Sequence, residues 1–207
     1  WITNGSTANI AVVWAKTNGD ASDRSIRGFI VPTDTAGFKA KDQKGKLSLR
    51  ASDTSELSFQ DVHLPADALV GKEDGALMQL FAGLNPERIM AASIATGMSR
   101  YALGKAKKYV NERQVWGQPI GAHQAIAHPL ATAHIEMELA RLMMQKAATL
   151  YDLGDDMGAG EAANMAKYAS AEASVKAVDA AIQSHGGNGF ASEYGLAILL
   201  ASSRLSR

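Results

Sequence analysis

The sequence contains no cysteine, and this absence removes several classes of chemistry at once. Disulfide frameworks, thiolate metal sites and cysteine nucleophiles all need a thiol, so none of them is available to this chain. A cysteine-free composition also suits a reducing compartment. Any redox reaction would have to depend on a bound cofactor.

Charge of one sign and long apolar runs are missing as well. The 21 basic residues balance the 21 acidic residues, so no overall field attracts the protein to nucleic acid or to anionic lipid. No stretch approaches the ~18 uninterrupted apolar residues that a membrane span needs. We therefore expect a soluble protein with no nucleic-acid partner and no membrane partner.

Histidine motifs of metal sites and hydrolases are absent too. The five histidines lie at positions 63, 123, 128, 134 and 185. His123 and His128 are five residues apart and His128 and His134 six, so neither pair has the i, i+4 spacing of a helical metal pair. The motifs H-E-x-x-H and G-x-S-x-G do not occur either. The sequence therefore predicts no metal site and no serine-triad hydrolase.

Two different hydrophobic periods divide the 207 residues that are present. In residues 1–74, short apolar or alternating runs predict strands, and turn-rich stretches separate them. The predicted strands cover residues 10–15, 28–32 and 56–60, and the predicted turns cover 17–20 and 33–37. From residue 75 to 207 the period is helical. The sequence therefore predicts an α+β fold, with a small antiparallel β-domain (1–74) followed by an α-helical four-helix-bundle domain (75–207).

The helical part has recognisable start and stop signals. Asn85 is a candidate N-cap with Pro86 at the first helical position, which places Glu87 in a first turn of a helix that runs to about Glu112. Further helices are predicted over 122–153, 161–184 and from about 192 onward. Pro129 should kink the second helix or mark its true first turn.

Three local patterns could contact a planar, phosphorylated ligand, although each also has an ordinary structural explanation. Trp1 and Thr3 lie on the same side of a strand that enters a turn, as an aromatic anchor would. Arg113 could cap helix carbonyls or reach a phosphate, and Trp116 could stack on a ring. The glycines at 186–189 could form a helix C-cap or allow close approach of a ligand, but they match no Rossmann or P-loop fingerprint.

Taken in order, six motifs resemble the acyl-CoA dehydrogenase family across essentially the whole chain. They are W-I-T-N-G at the start, a strand ending Ser52-Asp53-Thr54, Phe59-Gln60-Asp61-Val62 with Pro65, E-R-x-x-W-G at 112–117, His123-Gln124, and Gln183-x-x-Gly186-Gly187-Asn188-Gly189-Phe190. The resemblance implies a helical N-terminal domain, a β-domain and a C-terminal four-helix bundle. The first of these is missing here, so we expect the sequence to be a segment of a longer protein.

The same resemblance implies FAD as the cofactor and a subunit-shared site for it. The flavin ring would lie between the β-domain and the bundle, beside Trp1 and Thr3. The adenine and pyrophosphate end would be held by the partner subunit through Arg113, Trp116, Gln124, Gln183, Gly186 and Gly187. A site of this kind implies a homo-oligomer, dimer or tetramer, or a mixed oligomer with a paralogous subunit.

The family chemistry is α,β-dehydrogenation of an acyl-CoA thioester to a trans-2-enoyl-CoA, with electrons passed to an electron-transferring flavoprotein. It needs a carboxylate base that removes the α-proton while a hydride leaves the β-carbon. Of the two family positions for this base, one lies past Arg207 and the other corresponds to Glu87. Arg88 matches an arginine near the active site, and Leu84 a position that lines the acyl pocket.

The chain also departs from the family pattern, which keeps alternatives open. Ala201 and Ser202 stand where an Arg-Asp pair is usual, and Trp116 replaces a more frequent Phe. Glu87 has a purely structural explanation in the helix dipole. The alternatives to the dehydrogenase are an acyl-CoA oxidase and a non-catalytic subunit that completes the FAD site of another chain. The expected location is the bacterial cytoplasm or the mitochondrial matrix.

Overall fold

The computed structural model describes residues 1–17, 25–71 and 75–207. The chain divides into two compact units, Trp1–Ala82 and Gly83–Arg207. The first holds antiparallel strands and the second is helical, so the predicted α+β fold class is confirmed. The domain boundary at 74/75 stays a prediction, and the predicted turn at 17–20 lies outside the described residues from Asn18 onward.

Two small antiparallel sheets hold the strands of the first unit. One has the strand order β1-β5-β4 and the other pairs β2 with β3. The strands are β1 (Ile2–Thr3), β2 (Ile10–Lys16), β3 (Ile26–Pro32), β4 (Phe38–Asp42) and β5 (Thr54–Phe59). The three predicted strands are present with ends shifted by one or two residues. Strand β4 was missed, and it pairs with β5 through Phe38 and Phe59, whose rings meet edge to face at 5.3 Å.

One expectation about this unit is wrong. Residues Ser52, Asp53 and Thr54 do not end a strand, because β5 begins at Thr54. They instead close the connection from β4, where the Gln43 amide donates to the Thr54 carbonyl at 2.7 Å. The motif therefore belongs to the entry of β5, next to the strand that carries Thr3.

Four α-helices dominate the rest of the chain, with a short hairpin between the first two. The helices are α1 (Ala76–Glu112), α2 (Gln124–Asp152), α3 (Asp156–His185) and α4 (Leu196–Ser206). The hairpin consists of β6 (Gln114–Val115) and β7 (Gln118–Pro119). None of the helices in the described ranges is both long enough and apolar enough to cross a membrane.

Small side chains form the interior of the helical unit. One cluster joins α1, α3 and α4, and a second joins α2 and α3 with Ile89 of α1 packed against it. The fully buried members of the first cluster are Ala102, Ala106, Val178, Ala181 and Leu196, and those of the second are Ala147, Ala162 and Ala163. Alanine at these positions permits close helix approach, because interaxial distances depend on the side chains at the contact.

The predicted start of the first helix is wrong by about ten residues. Pro86 lies inside α1, which begins at Ala76. A proline inside a helix removes only one backbone donor, here the one that would reach the Ala82 carbonyl, and the preceding segment is rich in good helix formers. Glu87 is therefore not in a first turn, and the helix-dipole explanation for this residue no longer applies.

The other helix ends also differ from the predictions. Pro129 lies inside α2, in its second turn rather than its first. Helix α3 begins at Asp156 instead of residue 161, because the Asp155 carboxylate accepts the Gly158 amide at 3.0 Å and forms an N-cap. The fourth helix begins at Leu196, after a short 3₁₀ turn over Ser192–Tyr194.

Candidate functional site

The W-I-T-N-G motif is held against the start of β5. Ile2 pairs with Ser55 and Thr3 with Thr54. Asn4 adopts a left-handed conformation with φ of 61°, which Asn tolerates better than most residues. A Cβ on Gly5 would lie 2.9 Å from that of Ser55, so only glycine fits there. This turn leaves the Trp1 side chain 76% exposed and able to cover a planar ligand.

Asp53 organises that turn from the other strand. Its carboxylate accepts the Ser6 amide at 2.9 Å, and its carbonyl accepts the Asn4 amide at 3.2 Å. The hydrogen bond from the Ser6 backbone lowers the pKa of the Asp53 carboxyl below its ordinary value. Since the ionised form is favoured in the folded state, this contact stabilises the fold above the unfolded pKa of about 3.9.

We expect Asp53→Asn to lower the urea midpoint at neutral pH. The folded-state pKa of the Asp53 carboxyl is depressed. The difference in urea midpoint between the variant and wild type should therefore shrink as the pH falls through this folded-state pKa. Urea titrations of both proteins between about pH 2 and 7 measure this. Asp67→Asn is the control, since Asp67 is an exposed carboxylate in the separate 3₁₀ turn Ala66–Ala68. A constant difference across the pH range would contradict the stated role of the carboxylate.

Helix α1 places the predicted acyl-CoA residues on one of its faces. Leu84, Glu87 and Arg88 are three and four residues apart, a spacing that brings side chains together on a helix surface. Glu87 is exposed, whereas Leu84 and Arg88 are half-buried. An accessible carboxylate beside an apolar side chain and a guanidinium has the composition required to accept a proton from a bound thioester.

Arg113 directly follows α1 and lines a cavity of about 460 Å³. Its amide donates to the Tyr109 carbonyl at 2.9 Å, which fixes the backbone there. The cavity is lined by Lys105, Lys108, Tyr109, Glu112, Arg113, His185, Asn188 and Tyr194. Three of these side chains are cationic and one is anionic, so the cavity suits an anionic group such as a phosphate.

Trp116 occupies the two-residue turn of the β6–β7 hairpin. It has a positive φ of 53° and Gly117 one of 79°, as a type I′ turn requires. A bulky residue in this region carries strain of order 1–3 kcal/mol. The ring is 87% exposed and meets His123 edge to face at 5.6 Å. The strained backbone thus presents a large aromatic surface outward, next to Gln124 at the start of α2.

Gln183 lies apart from Arg113. It lines a groove of about 510 Å³ between α2 and α3, and Arg113 is not among the lining residues. Lys176 closes part of this groove through an ion pair with Glu136 at 2.9 Å. Hydrogen bonding to the Glu136 carboxylate raises the pKa of Lys176.

Gly186 and Gly187 form the turn that ends α3. Gly186 has φ of 56°, and its amide donates to the Gln183 carbonyl. A Cβ at either glycine would meet nothing within 4 Å. The backbone is therefore open to a ligand here, as the sequence suggested. Within residues 1–17, 25–71 and 75–207, no group of three His, Asp or Glu side chains could hold a metal ion.

The supporting roles of several residues were not predicted from the sequence. Asp53 and Gly5 shape the turn after Thr3, and the buried His185 stacks on Tyr109 beside Arg113. The sequence signals were weak, because a single aspartate, glycine or histidine is common and its partner is distant in the chain.

Two family models match this chain. The model described as acyl-CoA dehydrogenase, middle domain, matches residues 1–62, and the one described as acyl-CoA dehydrogenase, C-terminal domain, matches residues 74–207. The family recognised from the six motifs is thereby confirmed.

Individual relatives agree with this result. Acyl-CoA dehydrogenase FadE12 of Mycobacterium tuberculosis is 62% identical over 179 residues, which cover 86% of this chain and 46% of the relative. The structure of butyryl-CoA dehydrogenase from Megasphaera elsdenii matches with a TM-score of 0.88 at 31% identity, covering 100% of this chain and 53% of the other. The structure described as PigA with FAD and proline matches with a TM-score of 0.95 at 26% identity, over 100% and 54% of the two chains.

The chain spans about half the length of the curated relatives it matches. Within that span, one family model matches residues 1–62 and the other residues 74–207, which includes the whole helical unit. The chain belongs to the acyl-CoA dehydrogenase family.

Proposed function

We propose that the full-length protein is an FAD-dependent acyl-CoA dehydrogenase in which Glu87 removes the α-proton of the substrate. The observation that carries the proposal is the accessible carboxylate of Glu87 on the same face of α1 as Leu84 and Arg88, in a chain of this family. The relatives support the reaction class, since FadE12 and the butyryl-CoA enzyme are both named dehydrogenases.

The residues of this chain suit FAD as the cofactor. Bound FAD would supply the acceptor for the hydride that leaves the β-carbon. Trp1 and Thr3 would hold the flavin ring, because the exposed ring of Trp1, just before β1, and the hydroxyl of Thr3 in β1 lie two residues apart. The matched PigA structure contains FAD, which supports the same choice.

The phosphate and adenine end would contact the helical unit. Arg113 would provide a charge-assisted hydrogen bond to the pyrophosphate, and Trp116 an exposed ring for stacking. Gly186 and Gly187 would let the ligand approach the backbone. Gln124 and Gln183 would add polar contacts, although Gln183 lies in a separate groove from Arg113. These are the contacts predicted for a partner subunit.

The work of this chain on the substrate is proton removal and orientation. The Glu87 carboxylate would accept the α-proton, with Leu84 against the acyl chain and Arg88 close by as a fixed positive charge. A positioned general base of this kind contributes roughly 10²–10⁴-fold to a rate. We further propose that electrons pass to an electron-transferring flavoprotein and that the protein is cytoplasmic, as the bacterial relatives favour.

Two other functions differ from this proposal in measurable ways. An acyl-CoA oxidase would release hydrogen peroxide in air, and a dehydrogenase would not. A non-catalytic subunit would bind FAD or complete another chain's site without being reduced by acyl-CoA. Ala201 and Ser202 stand where the family usually has an Arg-Asp pair, the departure that keeps the non-catalytic subunit open. There the Ser202 hydroxyl donates to the Ile198 carbonyl of its own helix at 3.1 Å. The full-length chain, purified alone and mixed with acyl-CoA in air, distinguishes the three.

We expect FAD to bind only to an oligomer of the full-length protein. The proposed contacts divide between Trp1 and Thr3 of one subunit and Arg113 and Gln183 of another, so a monomer would hold only part of the cofactor. Sedimentation velocity with detection at a flavin absorbance band measures both properties together. A monomeric species that carries stoichiometric FAD would contradict the shared site.

A further inference from the structure

A buried imidazole lies beside the cavity that contains Arg113. His185, the last residue of α3, is 5% exposed and stacks on Tyr109 with ring centroids 4.2 Å apart and planes at 21°. Its Nδ1 lies 2.7 Å from the Ala181 carbonyl. Because a carbonyl oxygen only accepts, Nδ1 carries the proton and donates it. The reaction proposed above uses no acid or base at this position.

A third ring completes the cluster. Tyr194 meets Tyr109 and His185 edge to face, with centroid distances of 6.1 Å and 5.5 Å. Lys105 of α1 donates to the Tyr194 carbonyl at 2.5 Å. Rings from α1, the end of α3 and the turn before α4 therefore form one packed group. We call Tyr109, His185 and Tyr194 the aromatic cluster.

The aromatic cluster contacts two of the segments that carry proposed FAD contacts, the end of α1 before Arg113 and the glycine turn. On one side, the Tyr109 carbonyl accepts the Arg113 amide at 2.9 Å. On the other, the Tyr109 hydroxyl accepts a hydrogen bond from Asn188 at 3.0 Å, and His185 is covalently joined to Gly186. The stacked pair is thus a direct link between the end of α1 and the glycine turn.

The glycine turn has little freedom to move independently of His185. A Cβ on Gly189 would lie 2.3 Å from the Ile182 carbonyl oxygen, so the turn folds back tightly onto the last turn of α3. Gly186 is already fixed in a positive-φ conformation by its bond to the Gln183 carbonyl. A change in the position of His185 would therefore move the open backbone at Gly186 and Gly187.

We propose that His185 is a positioning residue for the cofactor, which holds the Gly186–Gly187 backbone and Arg113 in one fixed arrangement through its stack on Tyr109. The inference rests on the proposed function, because it concerns the residues proposed to contact FAD. His185 touches no cofactor atom in this account. It lowers the cost of binding by fixing two contacts in advance, which is the general effect of preorganisation.

A double-mutant cycle on the full-length protein tests the proposal. The four proteins are wild type, His185→Ala, Arg113→Ala and the double variant. The dissociation constant for FAD is measured by flavin fluorescence, and the melting temperature of each apo-protein is measured separately. We expect His185→Ala to raise the FAD dissociation constant about tenfold in the wild-type background and less than about threefold in the Arg113→Ala background, as coupled residues do.

Other outcomes would overturn the proposal. An equal rise in both backgrounds would mean that His185 acts independently of Arg113. An unchanged dissociation constant with a lower melting temperature would make His185 a purely structural residue. Should His185→Ala fail to fold, the same cycle is run with His185→Leu, which fills much of the buried space but has no ring to stack on Tyr109; coupling to Arg113 is again expected. Wild-type protein that binds no FAD would instead refute the proposed function itself.

Discussion

Reduction of the flavin by acyl-CoA is expected to fall roughly 10²–10⁴-fold in full-length protein carrying Glu87→Gln. Glutamine keeps the size of the side chain and much of its hydrogen bonding, so acyl-CoA should still bind. It cannot accept the α-proton, and the step that depends on that proton should slow. Single-turnover bleaching of the flavin by saturating acyl-CoA, in the absence of oxygen, gives the rate directly.

Glu138→Gln is the matched control for this substitution. Glu138 lies on α2 and forms a surface ion pair with Arg141 at 2.8 Å, and such pairs contribute about 0–1 kcal/mol. Its loss should leave the bleaching rate unchanged. If Glu87→Gln bleached as fast as wild type, the base would lie elsewhere in the full-length protein, and Glu87 would be an ordinary helix residue.

FAD retention is expected to weaken roughly 10–100-fold in Arg113→Ala, while the apo-protein melts near the wild-type temperature. A hydrogen bond from a guanidinium to a phosphate is worth roughly 1.5–3 kcal/mol, and about 1.4 kcal/mol corresponds to a tenfold change. The Arg113 side chain is exposed and its backbone amide bond to Tyr109 does not depend on it. A flavin titration beside a thermal melt of the apo-protein measures both quantities.

Arg100→Ala separates this effect from a general loss of positive charge. Arg100 is an exposed arginine on α1, thirteen residues before Arg113. Its removal should change neither FAD affinity nor the melting temperature by a measurable amount. Equal FAD affinity in wild type and Arg113→Ala would assign Arg113 a role only in capping the end of α1.

The helix boundaries illustrate where reasoning from the sequence succeeds and fails. The end of α1 at Glu112 was predicted correctly, because the chain there enters a hairpin with glycine in its turn. Its start was wrong because Asn85-Pro86 has the composition of an N-cap, and only the continuing helix before it overrides that signal. The Asp155 N-cap had a clear local signal that the prediction did not use.

The candidate site shows a similar division. Motif order was enough to find the family, whereas Glu87, Arg113 and the glycine turn stay predicted site residues. It could not predict that Asp53 holds the turn after Thr3 or that His185 stacks on Tyr109. These contacts join residues far apart in the chain, and one sequence alone carries no signal of their pairing.

Anaerobic titration of the full-length protein with acyl-CoA tests the central claim most directly. FAD-loaded protein is expected to lose its oxidised flavin absorbance as substrate is added, and one equivalent of trans-2-enoyl-CoA should form for each flavin reduced. Straight-chain and branched acyl-CoA thioesters of several lengths should be compared, because the acyl group is not specified by this chain. An oxidised flavin spectrum that stays unchanged with every thioester, in protein that demonstrably holds FAD, would contradict the account.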